Sequence, residues 1–198
     1  MNAYEVAGFV FGVLAVWLTA KESPWCWPTG LVNVALYIVV FWQAKLYADM
    51  GLQVVYVAVC LYGWWEWLHG GPGGGKLSVS RVPRAHLLAI SIAGALAAGV
   101  LGVFLRTRTD AALPFWDATT TSYSLVAQWL QTRKWIETWW FWIGVDVIYI
   151  GVYMVKHLWL TALLYAIFLA LCILGLKEWR RSLEKAATAE VKPPAAHV

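Results

Sequence analysis

The sequence predicts an all-α integral membrane protein with seven transmembrane helices, built from two three-helix repeats and a linker helix. Three observations predict it. The chain has 198 residues, of which 61% are hydrophobic and 13% charged, whereas soluble domains carry about a quarter charged residues. It divides into seven apolar runs, and its two halves align with each other. Its 15 tryptophans suit membrane interfaces, where an apolar ring and one N–H donor both find partners.

Seven runs are long enough to cross a bilayer, because about 20 apolar residues span its hydrocarbon layer of roughly 30 Å. The predicted spans are 4–20, 25–43, 52–69, 85–105, 115–132, 138–155 and 159–177. The first run lacks a basic leading segment and a small-residue cleavage site, so we expect a retained helix and no signal peptide.

The connections between the runs are short, apart from one glycine-rich loop. This loop, HGGPGGGKLSVSRVPR at 69–84, contains a run of glycines that predicts a flexible linker. It lacks the GK[ST] ending of a phosphate-binding loop. The chain after Trp179 is charged and then rich in Ala and Pro, which predicts a frayed helix end followed by disorder.

The basic residues predict the orientation. Seven spans divide the 15 Lys and Arg residues into eleven on one side and four on the other. Loops rich in Lys and Arg stay in the cytoplasm, so the C-terminus is expected inside and the N-terminus outside. Because the basic residues lie between apolar spans, the net charge of +4 does not indicate nucleic-acid binding.

A shift of 112 residues aligns 4–67 with 116–179 without a gap. Tryptophans, a cysteine, a glycine and a glutamate match in this one register, which composition alone rarely produces. The identical pairs include Trp17/Trp129, Trp27/Trp139, Tyr37/Tyr149, Cys60/Cys172, Gly63/Gly175, Glu66/Glu178 and Trp67/Trp179. The sequence therefore predicts an internal repeat.

The repeat predicts the topology. Each copy has three helices, and the small, aliphatic span at 85–105 lies between them. One extra crossing restores the direction of the second copy, so the copies are parallel. This is a 3+1+3 plan like that of the SWEET transporters, with the substrate site between the repeats. The predicted units are a first repeat at 1–69, a loop and linker helix at 70–112, a second repeat at 113–179, and a cytoplasmic tail at 180–198.

The sixth span, WWFWIGVDVIYIGVY at 139–153, carries one carboxylate in its middle. Residues three and four apart share a helix face, which places Trp139, Trp142, Asp146 and Tyr149 on one stripe. An unpaired carboxylate facing lipid costs several kcal/mol. Asp146 is therefore expected to face the protein interior, where it either lies on a substrate pathway or bonds to a neighbouring helix.

Polar residues on other spans complete the candidate binding site. Their side chains are amides, hydroxyls and aromatic rings, the groups that line polar cavities. Packing between helices, or hydrogen bonds to the carbonyls of their own helix, would also account for several of them. They are Asn33 and Tyr37 in the second span, Gln53 and Tyr56 in the third, and Thr121 and Gln128 in the fifth.

Aromatic rings attract a cation and stack on a flat heterocycle, and amides recognise hydroxyls or a carboxamide. The predicted ligand is a small polar molecule with a flat ring, which can be cationic, and with hydroxyls. The four histidines lack metal-ligand spacing, so neither a metal site nor a cofactor is expected. No Ser/His/Asp arrangement indicates an enzyme. The three cysteines form no CxxC pair and are expected to be buried and free.

Several motifs together resemble the PnuC family of vitamin transporters. They are WPTGL at 27–31, FWQAKLYAD at 41–49, the Gln-x-x-Tyr of 53–56, YGWWEW at 62–67, and WxxWxxxD at 139–146. The resemblance extends over about 25–180. Four residues belong both to these motifs and to the candidate binding site: Gln53, Trp139, Trp142 and Asp146.

The resemblance implies import of nicotinamide riboside across the bacterial inner membrane without ion coupling, driven by a cytoplasmic kinase that phosphorylates and so traps the product. It also implies a homotrimer. Other family members import thiamine, riboflavin or deoxynucleosides, so these remain alternatives, and thiamine also has a cationic ring. Three other interpretations stay open: proton coupling through Asp146, a membrane vitamin-binding protein that does not transport, and an intramembrane enzyme.

Overall fold

The computed structural model describes residues 3–43, 47–109, 113–155, 157 and 159–191. The described chain is helical apart from its turns and one loop. Seven α-helices follow one another: α1 (Ala3–Ala20), α2 (Cys26–Gln43), α3 (Tyr47–His69), α4 (Arg84–Arg108), α5 (Pro114–Thr132), α6 (Thr138–Val155) and α7 (Trp159–Val191). Pro114 begins α5 at a position where its fixed φ favours a helix and its missing N–H costs nothing.

The seven predicted runs are confirmed as helices, with two differences in length. Helix α3 begins at Tyr47, five residues before the predicted span. Helix α7 continues to Val191, although the predicted span ends at 177 and the predicted repeat at 179. Charged residues extend a helix into water as readily as apolar ones, so the end of the apolar run did not mark the end of α7. The tail from 192, predicted to be disordered, and the predicted boundary at 112 lie outside the described residues.

Four of the described helices contain stretches long and apolar enough to cross a membrane: Cys26–Gln43, Arg84–Arg108, Thr138–Val155 and Thr161–Ala189. The other three are less apolar or shorter, and α5 carries several hydroxyls. Many large apolar side chains are nevertheless exposed, among them Leu96 and Val100 of α4 at 66% and 74%. Such a surface needs lipid around it. The protein is a multi-pass, all-α membrane protein.

Six helices pack as a closed ring. Following the ring, α1 contacts α2, α2 contacts α3, α3 contacts α5, α5 contacts α6, α6 contacts α7, and α7 returns to α1. Helix α4 lies outside and packs on α5. Its Gly94, Ala98 and Gly102 are buried, and this row of small residues lets α5 approach closely. A Cβ at Gly102 would lie 2.5 Å from the Phe115 ring.

Equivalent positions in the two halves make equivalent contacts. The Trp27 ring packs on Gly63, and the Trp139 ring on Gly175; a Cβ at either glycine would lie 2.3 Å from the ring. Trp27 meets Trp67 edge to face at 5.5 Å, and Trp139 meets Trp179 in the same way at 5.3 Å. The residues of the second pair lie 112 positions after those of the first. Each half therefore contributes one tryptophan packed on one glycine to a single buried cluster, in which the Trp67 and Trp179 rings meet at 5.9 Å.

The halves are joined at one end by contacts that obey the same shift. The Trp67 Nε1–H donates to the Gln131 carbonyl at 2.9 Å, and the Trp179 Nε1–H donates to the Thr19 carbonyl at 3.0 Å. Thr19 and Gln131 are 112 residues apart, as are the two tryptophans. Each half thus donates from its third helix to the end of the other half's first helix, which is the pattern of a two-fold axis.

Among the described residues, three ion pairs at this end join one half to the other, and we call their six residues the clasp. Its members are Lys21, Glu22, Glu66, Arg133, Lys134 and Glu178. Lys21 pairs with Glu178 at 3.4 Å and Arg133 with Glu66 at 2.6 Å, which are equivalent pairs under the shift. The third pair joins Lys134 Nζ to Glu22 Oε2 at 3.0 Å. Glu22 and Lys134 are equivalent to each other under the same shift, so this pair joins two equivalent positions.

The loop predicted to be a flexible linker is ordered against the clasp. Its glycines fold into a 3-10 turn over Pro72–Gly74, closed by a bond from the Gly71 N–H to the Gly75 carbonyl. Beyond them, residues 77–82 form a segment that we call the strap. Ser80 exchanges backbone hydrogen bonds with the turn between α5 and α6, at Lys134 and Ile136. The prediction of a flexible linker concerned the glycine run at 70–75; the strap beyond it is fixed by its buried Val79 and Val82 and by its backbone bonds.

Candidate substrate site

Asp146 is buried in the middle of α6, with 4% of its surface exposed. Its Oδ2 accepts a hydrogen bond from the Cys172 thiol of α7 at 3.4 Å. A thiol is a weak donor, and no cation pairs with this carboxylate among the described residues. The charge is thus held inside the protein, as predicted, by a contact that leaves most of its acceptor capacity unused.

A cluster of aromatic rings follows Asp146 along α6. The Tyr149 ring lies 4.5 Å from the Tyr165 ring of α7, and Tyr153 lies 5.3 Å from the same ring. Tyr149 also lies close to the Thr120 side chain of α5 and within electrostatic range of Tyr56 on α3. Because Tyr149 reaches three other helices, it lies in the interior of the ring. Asp146, one helical turn away, shares its face.

The two tryptophans of the WxxWxxxD motif lie nearer the clasp. Trp139 is 1% exposed, fixed between Gly175 and Trp179, and its Nε1–H has no partner among the described residues. Trp142 is only half buried, and its Nε1–H donates to the Gln131 Oε1 at 3.2 Å. Trp139 is therefore part of the helix core in this conformation, whereas Trp142 has a face that a ligand can reach.

The candidate residues of α2 tie that helix to α1. The Asn33 Nδ2 donates to the Gly8 carbonyl at 2.6 Å, and a Cβ at Gly8 would lie 3.0 Å from the Tyr37 ring. Within the described ranges the Asn33 side-chain carbonyl accepts no hydrogen bond, so it can accept one from a ligand. These two side chains are partly committed to packing, which is the alternative that the sequence left open.

The remaining candidates on α3 and α5 are half buried. Within the described part of the chain, the amides of Gln53 and Gln128 have no hydrogen-bond partner, so they are the polar groups most available to a ligand. Thr121 shares a face of α5 with Gln128, since seven residues make about two turns. Thr120 bonds to its own helix at the Trp116 carbonyl, as expected of a helical threonine.

Sequence reasoning missed Asp117, Tyr165 and Cys172 as members of the site. Asp117 lies within electrostatic range of Tyr149 and Tyr153. A signal existed, because Asp117, Thr121 and Gln128 share one helix face at spacings of four and seven. The partnership of Cys172 with Asp146 had no signal of its own, since only the packing of α6 on α7 places them together.

A groove of about 250 Å³ lies between α5 and α6, lined by side chains such as Tyr123, Phe141 and Ile148. Its wall is almost wholly apolar and it is open to the outside of the ring. A polar solute would find no partners there, so the groove does not compete with the ring interior as the substrate site.

The family of the protein follows from comparison with known sequences. A family of transporters described as nicotinamide mononucleotide transporters matches residues 2–181. The chain belongs to this family. The match covers the whole ring, the linker helix and the clasp, and it confirms the predicted membership of the PnuC family of transporters.

Named members of the family are similar over most of this chain. The nicotinamide riboside transporter PnuC of Escherichia coli (strain K12) is 27% identical over 203 residues, covering 90% of this chain and 85% of the relative. The riboflavin/roseoflavin transporter RibM of Streptomyces davaonensis is 28% identical over 181 residues, covering 88% and 83%. A crystal structure of the vitamin B3 transporter PnuC superimposes with a TM-score of 0.70 at 25% identity, covering 90% of this chain and 81% of that one. All are named as transporters, and none as an enzyme.

Cys172 allows a controlled test of the Asp146 environment. Cys172→Ala removes the thiol donor, so the carboxylate loses its neighbour and its fixed position; we expect KM for uptake of a cationic substrate to rise roughly three- to tenfold. Cys172→Ser keeps a donor and should retain the affinity. Cys60→Ala is the matched control, because Cys60 is equally buried but its half has Val34 where the other has Asp146. Equal effects at both cysteines would show that only packing is lost.

Proposed function

We propose that the protein imports nicotinamide riboside by facilitated diffusion. The observation that carries the proposal is the buried, unpaired carboxylate of Asp146 next to tyrosine rings in the interior of a six-helix ring. A positively charged pyridinium would supply the missing cation, the rings would stack on it, and the amides of Gln53 and Gln128 would bind the ribose or the carboxamide. The name of the Escherichia coli relative, a nicotinamide riboside transporter, supports this substrate.

The charge of the site favours a riboside over the mononucleotide in the family's description. A mononucleotide carries a phosphate, which would be repelled by Asp146. The Lys and Arg residues of the described ranges lie near the ends of the predicted spans, far from Asp146. The same repulsion would help to keep the phosphorylated product inside, once a cytoplasmic kinase has added about two negative charges.

Riboflavin is a weaker candidate substrate. The relative RibM is named as a riboflavin transporter, and riboflavin has a flat ring and hydroxyls. Its ring is neutral, however, and would leave the carboxylate of Asp146 unpaired in a closed site. Thiamine, a cationic ring, would satisfy Asp146 but offers fewer hydroxyls to Gln53 and Gln128.

The transport mechanism that we propose is alternating access between two three-helix repeats, α1–α3 and α5–α7, with α4 as the linker. The equivalent tryptophan–glycine contacts and the equivalent cross-bonds at the clasp support this 3+1+3 arrangement. Two repeats related by an axis along the membrane normal can rock against each other about a central site. All seven helices would cross the bacterial inner membrane, with the clasp on the cytoplasmic side and a homotrimer as the assembly.

Uptake by proteoliposomes tests the proposal. Nicotinamide riboside, nicotinamide mononucleotide, thiamine and riboflavin are offered separately to liposomes with and without the protein. We expect saturable uptake of the riboside, independent of an imposed pH gradient, and little uptake of the mononucleotide. Saturable binding without flux would identify a vitamin-binding protein instead, and no response to any of the four would refute vitamin transport.

A further inference from the structure

The Glu22–Lys134 pair occupies the one position where a central pathway must pass. A residue that contacts its own equivalent in the other half lies on the two-fold axis. In a ring of six helices, that axis is also the centre of the ring. The pair therefore blocks the end of any pathway that runs along the axis. The block consists of two side chains and not of a helix backbone.

Lys134 is held in place from several directions. Its ammonium contacts Glu22 at 3.0 Å and donates to the Leu77 carbonyl of the strap at 3.0 Å. It also lies 4.8 Å above the Trp67 ring. Only 8% of its side chain is exposed. A lysine that is buried and fully paired in this way closes the space around it to water.

The backbone on both sides of the axis is strained. Glu22 and Lys134 have φ values of 56° and 53°, the left-handed region that favours glycine. Both turns end their helices with the same pair of backbone bonds, one of them from Ser23 to Leu18 and its equivalent from Trp135 to Leu130. Glycine would relieve the strain but would lose the charge. Strain that persists at two equivalent positions points to a function of these side chains.

We propose that the clasp is the cytoplasmic gate of the transporter, closed in this conformation, and that the Glu22–Lys134 ion pair blocks the centre of the gate. Two further ion pairs close the gate on either side of its centre, Lys21–Glu178 and Arg133–Glu66. For the substrate to leave, the three ion pairs separate, and the bonds from Trp67 to Gln131 and from Trp179 to Thr19 break with them. Water can hydrate the separated charged side chains, whereas it would not hydrate an apolar closure. This inference depends on the proposed alternating access. The competing possibility is a fixed pivot, about which the halves rock without separating.

A reversible cross-link distinguishes a gate from a pivot. In the double variant Glu22→Cys, Lys134→Cys, a bis-thiosulfonate reagent about as long as the ion pair joins the two thiols in detergent before reconstitution. We expect nicotinamide riboside uptake to fall to the level of protein-free liposomes and to recover on reduction. Each single variant, treated in the same way, should be unaffected, which controls for reaction of the native cysteines. Full uptake in the linked state would overturn the gate in favour of a pivot.

The charge-swapped variant Glu22→Lys, Lys134→Glu covers the case in which the cysteine variant is inactive without reagent. It restores the ion pair in reverse but not the contacts of Lys134 with the Leu77 carbonyl and the Trp67 ring. We therefore expect uptake above that of Lys134→Glu alone, in which two acids meet on the axis, and below that of the wild type. A swap no better than the single variant would overturn the proposal. Absence of uptake by the wild-type protein in the same liposomes would instead refute the proposed transport function, so the two failures can be told apart.

Discussion

Replacing Asp146 by asparagine is expected to weaken nicotinamide riboside binding by roughly thirtyfold or more. The reason is the lost partner for a buried cation, since truncating one member of a buried charge pair costs about 2–5 kcal/mol and each 1.4 kcal/mol is tenfold. Asparagine keeps the shape of the side chain and can still accept from the Cys172 thiol. Binding to the detergent-solubilised protein by titration calorimetry, and the KM of uptake, measure the effect.

Asp117→Asn is the matched control for this experiment. Asp117 is also an acid near the tyrosine cluster, but it is less buried and lies about eleven residues from Gln128 on the same face of α5. We expect a smaller loss of affinity. A neutral ligand such as riboflavin should not lose affinity in either variant, and Asp146→Asn should favour it because no unpaired carboxylate is then left in the site. If Asp146→Asn binds the riboside as tightly as the wild type, the carboxylate serves only to hold α7 through Cys172.

Replacing Gly175 by alanine is expected to destabilise the protein by about 1–3 kcal/mol or more, the usual cost of overpacking a filled core. The added Cβ would lie 2.3 Å from the Trp139 ring, and that ring is fixed on its other side by Trp179. Neither aromatic can move without disturbing the bond from the Trp179 Nε1–H to Thr19. Thermal unfolding of the solubilised protein, followed by tryptophan fluorescence, measures the loss.

The repeat supplies the controls for this prediction. Gly63→Ala places a Cβ equally close to Trp27, so it should destabilise to a similar extent. Gly144→Ala and Gly151→Ala, both on α6, meet open space and should be neutral or slightly stabilising, because alanine favours a helix over glycine. Equal melting temperatures for Gly175→Ala and Gly144→Ala would mean that Trp139 is not confined as described.

The helices and the repeat could be predicted because both are written in local patterns. Apolar runs fixed the positions of seven helices, and one register aligned Trp27 with Trp139 and Gly63 with Gly175. The packing could not be predicted in the same way. Periodicity placed Trp139 and Asp146 on one stripe, but a stripe does not say which neighbour lies across it. Trp139 faces Gly175 in the core, whereas Tyr149, farther along, reaches the interior of the ring.

The ion-pair partners of the charged residues could not be predicted from the sequence. The excess of basic residues on one side predicts an orientation, and the sequence places them in loops between the spans. In the structure, Lys21, Arg133 and Lys134 each have an acidic partner in the other half. Those pairings depend on long-range contacts between helix ends, which no local spacing encodes. The 112-residue shift nonetheless contained a clue, since Lys21 aligns with Arg133 and Glu66 with Glu178.

The pair on the axis has a consequence for the origin of the chain. In a dimer of identical three-helix chains, a residue on the symmetry axis meets its own copy, so two glutamates or two lysines would face and repel each other. Opposite charges can meet there only when the two copies differ in sequence, as the two halves of this chain do. Glu22 and Lys134 are therefore a mark of broken symmetry: they bind the halves with an attraction that no homodimeric ancestor could have formed.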